Sequence, residues 1–328
     1  MPDGYPDISN AEEVAIDLET RDPNLTTMGS GWPRKDGHII GIAVAVQGDQ
    51  WYFPIRHEIG PNFDVNRTLG WLSDVCKIDR DYIFHNAPYD VGWLLAENVL
   101  VKGRIIDTMV VAPLLDENRF SYALNAVGRD YLQERKSEAE LREAAEAFGI
   151  NAKSEMYKLP AHHVGMYAEQ DAALTLKLWQ HFKTLIIKED IKDIFELETN
   201  VLKTIIPMRE RGVRVDLDKC ERIKQELSQK EQKLLGLIKR QTGVEVEIWA
   251  AESVAKAFDA MDLPYSKTEK TGAPSFTKGF LSNHPHEVPQ MIVQAREYQK
   301  ARSTFVDAIL KHQINGRIHA ELHPLRSD

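Results

Sequence analysis

The pattern of hydrophobic and polar positions changes near residue 190. Before it, short runs rich in β-branched and aromatic residues alternate with segments whose apolar residues recur every three or four positions. The runs that predict strands are VAIDL (14–18), HIIGIAVAV (38–46), QWYFPI (50–55), DYIFHN (81–86) and GRIID (103–107). The first three predict an antiparallel meander and the others alternate with helices, so we expect an α/β domain with a mixed sheet covered by helices.

The second part of the chain carries almost no strand pattern. Apolar residues recur with a helical period from Pro160 to Lys188, and again over 194–211 and 217–241. We therefore predict a boundary near Asp193, with an α/β domain over 1–192 and a mostly helical domain over 193–328. In the latter, segments 216–241 and 286–311 are expected to form an antiparallel stalk or a plain helical bundle.

Composition and charge add a contrast between the two parts. A chain of 328 residues with 43% hydrophobic and 28% charged residues is long enough for two cores. Residues 1–192 hold 20 Lys and Arg against 30 Asp and Glu, whereas residues 193–328 hold 21 against 20. An acidic domain repels polyanions unless bound cations reverse its local field, while the more neutral part is able to contact phosphates directly.

Two kinds of protein are disfavoured by the sequence. No apolar run approaches the roughly 18 residues of a membrane span, and the N-terminus lacks a secretory signal, so we expect a soluble protein without a membrane partner. Cys76 and Cys220 are far apart and form no CxxC spacing, which argues against a disulfide framework or a structural zinc site. A reducing, cytoplasmic compartment fits both observations.

Two carboxylates stand two residues apart around the end of the first predicted strand. Residues two apart on a strand share a face, so Asp17 and Glu19 project together while Val14, Ile16 and Leu18 face the other way. Carboxylates about 7 Å apart along a strand are able to share a divalent cation. The alternative is a solvated face of an edge strand.

Two further acidic positions belong to predicted helices. Asp90 falls in the first turn of the helix after DYIFHN, where it either binds metal or simply caps the helix. His85 and Asn86, at the end of that strand, are either hydrogen-bonding groups for a substrate or satisfied loop residues. Tyr167 and Asp171 lie four apart on one helix face, a spacing that an ordinary amphipathic helix also shows.

The three motifs together form an ordered set. Four acids that converge from three elements would repel one another strongly in a dry site, so the set predicts bound cations. With tyrosine in the third motif, the set resembles the DEDD superfamily of 3′-5′ exonucleases, in its tyrosine subgroup. The stretches IIDTMVVAPLLD (105–116) and SYALNAVGRDYL (121–132) also resemble those exonucleases. The segment RKSEAELREAAEAFG (135–149) departs from the shortest members and is expected to be a solvated helix.

This resemblance implies an RNase H-like fold and a role for each matching residue. Two divalent ions, Mg²⁺ or Mn²⁺, would be bound by Asp17, Glu19, Asp90 and Asp171. One ion would lower the pKa of a water and the other would stabilise the leaving 3′ oxygen. Tyr167 would orient the attacking water, and Thr20, His85 and Asn86 would lie beside the terminal nucleotide.

The second part of the chain resembles the thumb of family A DNA polymerases. NVLKTIIPMRERGVRVDLDKC (200–220) resembles the connection between exonuclease and thumb in that family, and the thumb blocks are DLPYSKTEKTGAPSFTKGFL (262–281) and AREYQKARSTFVDAILKHQINGRIHAEL (295–322). In that family the palm and fingers follow. We therefore expect the proofreading exonuclease and thumb part of a polymerase of phage or bacterial type, which by itself does not extend a primer.

The expected partner of both parts is DNA, as single-stranded or frayed 3′ ends and as primer-template, together with the palm and fingers of the same polymerase. Basic residues of the thumb-like part are candidate phosphate contacts, with a solvated surface as the alternative for each. They are Lys267, Lys270, Lys278, Lys300 and Arg302.

Two other functions share some of these features. A free-standing DEDD exonuclease acting on RNA 3′ ends would carry the same three motifs, but the thumb-like blocks argue against it. A catalytically silent DNA-binding scaffold would lack one of the acids, yet all four acids and the tyrosine are present in the sequence.

Overall fold

The computed structural model of the chain describes residues 2–134 and 138–323. Contacts divide the chain into two compact units: residues 1–212 together with the segment from His319 onward, and residues Val213–Ile318. Within the described residues, no helix is both long and apolar enough to cross a membrane.

The first unit is built on a mixed five-stranded sheet. Its strands are β1 Glu13–Arg21, β2 His38–Val46, β3 Asp49–Pro54, β4 Asp81–Phe84 and β5 Arg104–Asp107. Their spatial order is β3-β2-β1-β4-β5, with β1, β2 and β3 antiparallel and β4 and β5 parallel to β1. The predicted antiparallel meander and mixed sheet are confirmed, and β1 is the central strand.

Helices cover both faces of this sheet. They are α1 Leu25–Met28, α2 Val65–Cys76, α3 Ala87–Ala96, α4 Thr108–Leu115, α5 Leu124–Leu132, α6 Ala139–Ala147, α7 Ala161–Lys188 and α8 Lys192–Arg211, with a 3₁₀ turn at Met156–Lys158. Side chains alternate along β1, so that Ala15 joins one core with α7, whereas Val14 and Ile16 join the other with α2 and α3. The two faces of the sheet are therefore both dry.

Two helices differ from the sequence expectations. The predicted solvated helix within 135–149 is α6, but Leu141, Ala144 and Ala145 are buried in the core of the first unit, because α6 is amphipathic rather than polar all round. Residues 135–137 of that segment lie outside the described residues. Helix α8, which follows the predicted boundary near Asp193, contacts β5, α3 and α4 in the first unit. That boundary stays a prediction.

The second unit is mostly helical. Its helices are α9 Leu217–Thr242, α10 Ala251–Asp259, α11 Lys278–Ser282, α12 Glu287–Lys300 and α13 Asp307–His312, with a π-helical segment at Ala301–Val306. Two pairs of very short strands complete it: β6 Val213–Arg214 with β9 Arg317–Ile318, and β7 Ser266–Lys267 with β8 Pro274–Ser275.

The two long helical segments of this unit run antiparallel. Gln241, at the end of α9, hydrogen-bonds Glu287 at the start of α12. Earlier in α9, Lys224 Nζ lies 2.9 Å from Oδ1 of Asp307, beyond the end of α12. The antiparallel pairing expected from the sequence is therefore present, with a local change of helix type at Ala301–Val306.

Candidate active site

The first two acids of the site lie toward the carboxyl end of the central strand. Glu19 is buried and Asp17 is partly buried on β1, and Glu19 pairs with Gly41 of β2. A Cβ on Gly41 would collide with the hydroxyl of Tyr52, so the absence of a side chain there makes room for that ring beneath the acids. Because β1 is flanked by β2 and β4, the alternative of a solvated edge strand is wrong.

The third acid reaches the same strand from helix α3. Asp90 is 5% exposed, and its Oδ1 accepts a hydrogen bond from the backbone N–H of Leu18 at 3.0 Å. Burial, followed by the negative charge of Asp17, raises the pKa of Asp90 well above its ordinary value. The carboxylate of Asp90 thus contacts β1 between the two acids of the first motif. Its role is therefore not limited to capping helix α3.

The long helix α7 brings the last motif to this place. Tyr167 hydrogen-bonds Asp171, as the spacing of four residues predicts, and Asp171 is buried. Burial raises the pKa of Tyr167, and the charges of Asp171, Glu19 and Asp17 raise it further. The phenol is therefore neutral at physiological pH and lies within electrostatic reach of the first motif.

The four carboxylates are chemically suited to a divalent cation. They supply hard oxygen donors in a place where burial and mutual repulsion disfavour negative charge, and a cation relieves both. Across residues 2–134 and 138–323, no three His, Cys, Asp or Glu side chains form a group that would already hold a metal ion.

Beside the acids, a hydroxyl pair links β1 to α3. Thr20 Oγ1 lies 2.6 Å from the hydroxyl of Tyr89, which also donates to Oδ2 of Asp22 at 3.4 Å. These residues, together with Glu19 and Asn86, line a cavity of about 700 Å³. Sequence reasoning missed Tyr89 and Asp22, although Tyr89 directly precedes Asp90 and a tyrosine next to a candidate ligand was a usable signal.

A second cavity, of about 660 Å³, shares Asn86 and Tyr89 with the first. Phe120 and Tyr122 line its wall, and Phe120 is fully exposed. Phe120 was also missed, because nothing in its local sequence distinguishes an exposed phenylalanine from a core one. The candidate site therefore has carboxylates on and around β1 and aromatic rings in the wall of the second cavity.

The two polar residues at the end of β4 differ in their surroundings. In His85, Nδ1 hydrogen-bonds Thr108 Oγ1 at 2.8 Å and Nε2 donates to the carbonyl of Tyr122 at 3.0 Å. This geometry favours the alternative of a satisfied loop residue. Asn86 is exposed, adopts a left-handed backbone with φ of 78°, and lines both cavities, which keeps it a candidate for contact with a nucleotide.

The basic candidates of the second unit also fall into two groups. Lys267, Lys270 and Lys300 are exposed. Lys278 is exposed but lies 2.8 Å from Glu297, and Arg302 is partly buried with its Nη2 3.0 Å from the buried Glu231. The guanidinium of Arg302 is thus held inside the unit, and the phosphate contacts of all five residues stay predictions.

A family comparison agrees with this arrangement. The family model described as 3′-5′ exonuclease of DNA polymerase A matches residues 5–187, which include all four acids and Tyr167. The chain therefore belongs to the 3′-5′ exonuclease family of DNA polymerase A. Domains of this type use divalent metal ions.

Curated relatives extend the similarity over nearly the whole chain. A DNA-directed DNA polymerase of Pseudomonas phage M6 is 33% identical over 98% of this chain and 49% of its own length. DNA polymerase DpoZ of Salmonella phage PMBT28 is 27% identical over 99% of this chain and 52% of its own. DNA polymerase I of Pseudomonas aeruginosa is 25% identical over 96% of this chain and 35% of its own length. The chain thus spans about half the length of the phage relatives it matches.

Among solved structures, the POL domain of Pol1 from M. smegmatis, in complex with DNA primer-template and dNTP, has a TM-score of 0.68 to this chain. It is 16% identical, and the match covers 95% of this chain and 49% of that one. The fold class predicted from the sequence, an RNase H-like α/β domain followed by a helical region, is confirmed.

Proposed function

We propose that the first unit is a metal-dependent 3′-5′ exonuclease that releases 5′-mononucleotides from DNA 3′ ends, as the proofreading part of a family A DNA polymerase. The observation that carries this proposal is the hydrogen bond from the N–H of Leu18 that holds Asp90 of α3 against β1, in an exonuclease-family domain whose acids come from three separate elements. The residues concerned are Asp17, Glu19, Asp90, Tyr167 and Asp171.

In this proposal the four carboxylates would hold two divalent ions, Mg²⁺ or Mn²⁺. The bound ions would supply Lewis acidity, making a water more acidic and stabilising negative charge on the departing 3′ oxygen. Asp17 and Glu19 present their carboxylates from a fixed strand, and Asp90 is locked against that strand by the N–H of Leu18. This rigidity fits a site that positions its reactants before the reaction.

Tyr167 orients the attacking water through its neutral hydroxyl. Its hydrogen bond to Asp171 fixes the direction of the phenol oxygen, and its raised pKa keeps the proton in place. Water attacks phosphorus and loses a proton to solvent, the bond from phosphorus to the 3′ oxygen breaks, and a proton from solvent completes the new 3′ hydroxyl. No covalent enzyme intermediate is required.

The cavities beside the acids suit an unpaired 3′ end. Tyr89, Phe120 and Tyr122 present aromatic rings on which bases are able to stack, a mode of binding that tolerates any sequence. A paired terminus must first be melted, at a cost of a few kcal/mol that is smaller for a mismatch. The proposal therefore includes a preference for single-stranded and mismatched ends.

The second unit is proposed to bind the duplex part of a primer-template. Lys267 and Lys270 are exposed in and after a short strand, where cations are able to contact phosphates without reading sequence. The curated relatives are DNA polymerases, and the Pol1 structure from M. smegmatis contains primer-template, which supports DNA as the partner.

A labelled-primer assay tests the proposal. The chain is incubated with a 5′-labelled single strand, a matched primer-template and a 3′-mismatched one, in Mg²⁺ or Mn²⁺ and in excess EDTA, with an RNA strand of the same sequence in parallel. We expect stepwise shortening of the DNA, fastest for the single strand and slowest for the matched end, and none in EDTA. Shortening in EDTA would contradict the metal requirement, and faster RNA than DNA degradation would contradict the substrate.

A further inference from the structure

The position of Asp90 depends on the turn that precedes its helix. This β4–α3 turn, residues 84–87, reverses the chain through Asn86, whose φ of 78° is left-handed. Helix α3 begins at Ala87, and the side chain of Asn86 makes no capping hydrogen bond to it. The first backbone N–H groups of a helix need an acceptor, so another group must satisfy them.

That acceptor is Asp107, the last residue of the neighbouring strand β5. Asp107 is 3% exposed, and its Oδ1 accepts from the N–H of Asn86 at 2.8 Å while its Oδ2 accepts from the N–H of Ala87 at 2.8 Å. Its Oδ1 also accepts from the N–H of Met109 at 2.9 Å, at the start of α4. One buried carboxylate thus caps two helices. They are α4, which follows Asp107 directly in the chain, and α3, which follows the neighbouring strand β4.

The next residue fastens the same turn. Thr108 is fully buried, its hydroxyl donates to the carbonyl of Phe84 at 3.1 Å, and its Oγ1 hydrogen-bonds Nδ1 of His85. Asp107 and Thr108 therefore hydrogen-bond all four residues of the turn. Backbone held by buried, charge-assisted hydrogen bonds has little freedom to shift.

We propose that Asp107 is a positioning residue for the metal site, which acts by fixing the start of α3 and hence the carboxylate of Asp90 against β1. Asp90 lies three residues beyond Ala87, in the first turn of α3, and accepts the N–H of Leu18 between Asp17 and Glu19. The inference rests on the proposed function for the role of Asp90 and adds a residue that acts through Asp90, while its side chain also lines the second cavity.

The chemistry of the cap requires a carboxylate. Two oxygens here accept from three N–H donors, whereas asparagine offers one carbonyl oxygen and an NH₂ group that would oppose a backbone N–H. Asp107→Asn therefore leaves at least one buried N–H of the turn unsatisfied. Asp107→Glu keeps the charge, but its extra methylene moves the oxygens away from a site fitted to the shorter side chain.

A control at another helix cap exists in the same unit. Asp64 also caps a helix, accepting the N–H of Arg67 at 2.8 Å, but that helix, α2, carries none of the candidate site residues. Asp64→Asn therefore makes the same substitution at an exposed helix cap without touching the start of α3.

The experiment compares the full chain with Asp107→Asn, Asp107→Glu and Asp64→Asn in three measurements. Hydrogen exchange reports protection of the Asn86 and Ala87 amides, titration with Mn²⁺ alone reports metal affinity, and single-strand hydrolysis against Mg²⁺ concentration separates kcat from the metal requirement. We expect both Asp107 variants to lose protection at the two amides. We also expect Asp107→Asn to bind Mn²⁺ about 10- to 100-fold more weakly, with part of the rate recovered at high metal concentration.

The outcomes separate the inference from the function on which it rests. If the unaltered chain binds no Mn²⁺ and hydrolyses nothing, the proposed function fails. If it binds Mn²⁺ and both Asp107 variants bind it equally well, the positioning role is refuted even where their stability falls. Normal metal binding by Asp107→Glu alongside weak binding by Asp107→Asn would attribute the effect to charge and refute positioning, as would an equal loss in Asp64→Asn.

Discussion

Two buried carboxylates, one in each unit, show opposite solutions to the same electrostatic problem. Glu231 in α9 is 4% exposed and accepts hydrogen bonds from Gln299 and Arg302, both at 3.0 Å. Asp90 in α3 is 5% exposed, but its nearest charged neighbours are other acids, and a single backbone N–H of β1 contacts its Oδ1. Glu231 is neutralised by the protein itself, whereas Asp90 is not.

The difference between these two acids is whether the protein supplies a partner of opposite charge. Charge burial is tolerated when a partner of opposite sign and good geometry is present, and it is costly when like charges are grouped. The fold nevertheless groups acids on β1, α3 and α7. A cation supplied from solution is the simplest compensation, and this is the physical basis of the proposed function.

The largest effect on hydrolysis is expected from removing the two acids of β1. For the double variant Asp17→Ala/Glu19→Ala we expect at least a roughly thousand-fold loss of single-strand hydrolysis, since two proposed ligands are lost. Its thermal stability should be unchanged or higher, because repulsion with Asp90 is relieved. Hydrolysis rates and thermal melting in EDTA check this, and full activity of the double variant would contradict the site.

The neutralised carboxylate of the second unit is tested through its ion pair with Arg302. Arg302→Ala leaves Glu231 buried without its cation, so we expect a loss of about 3 kcal/mol in the stability of this unit. Hydrogen exchange of the α9 and α12 backbone amides in increasing denaturant measures the stability of this unit. Lys278→Ala, which removes an exposed pair with Glu297, is the control and should cost less than about 1 kcal/mol. Equal effects of the two variants would contradict the structural role of Arg302.

A finer change within the site removes one oxygen from Tyr167. Tyr167→Phe should keep the fold and Mn²⁺ affinity but lower kcat about 10- to 100-fold, because only the group that orients water is lost. Asp171→Ala, which removes a proposed ligand, should weaken Mn²⁺ binding as well. A Tyr167→Phe variant with unaltered kcat would mean that the ring serves packing alone.

The smallest effect is expected for the exposed lysines of the second unit. Lys267→Ala/Lys270→Ala should weaken duplex binding a few-fold and lower the slope of log affinity against log salt by up to about 2, since two phosphate contacts are removed. Binding to fluorescent duplex DNA at several salt concentrations measures this. An unchanged slope would mean that these lysines form a solvated surface.

The local pattern of apolar and polar residues determined many of the helices and strands of this chain. The apolar run 38–46 coincides with β2, and the helical period from Pro160 to Lys188 coincides with α7 to within one residue. The strand and helix periods also placed Asp17 with Glu19 and Tyr167 with Asp171 on common faces, because the spacing of side chains on one element is fixed by its backbone geometry.

Only the tertiary structure decided which partners the other polar side chains contact. The short-range pattern could not show that Asp107 caps α3 from another strand, that Tyr89 meets Thr20 across 69 positions, or that Arg302 is bound to Glu231. It also left open whether β1 was an edge strand, which the pairing with both β2 and β4 settles. Such contacts join residues far apart in sequence, and they follow from strand order and helix packing, which no local period encodes.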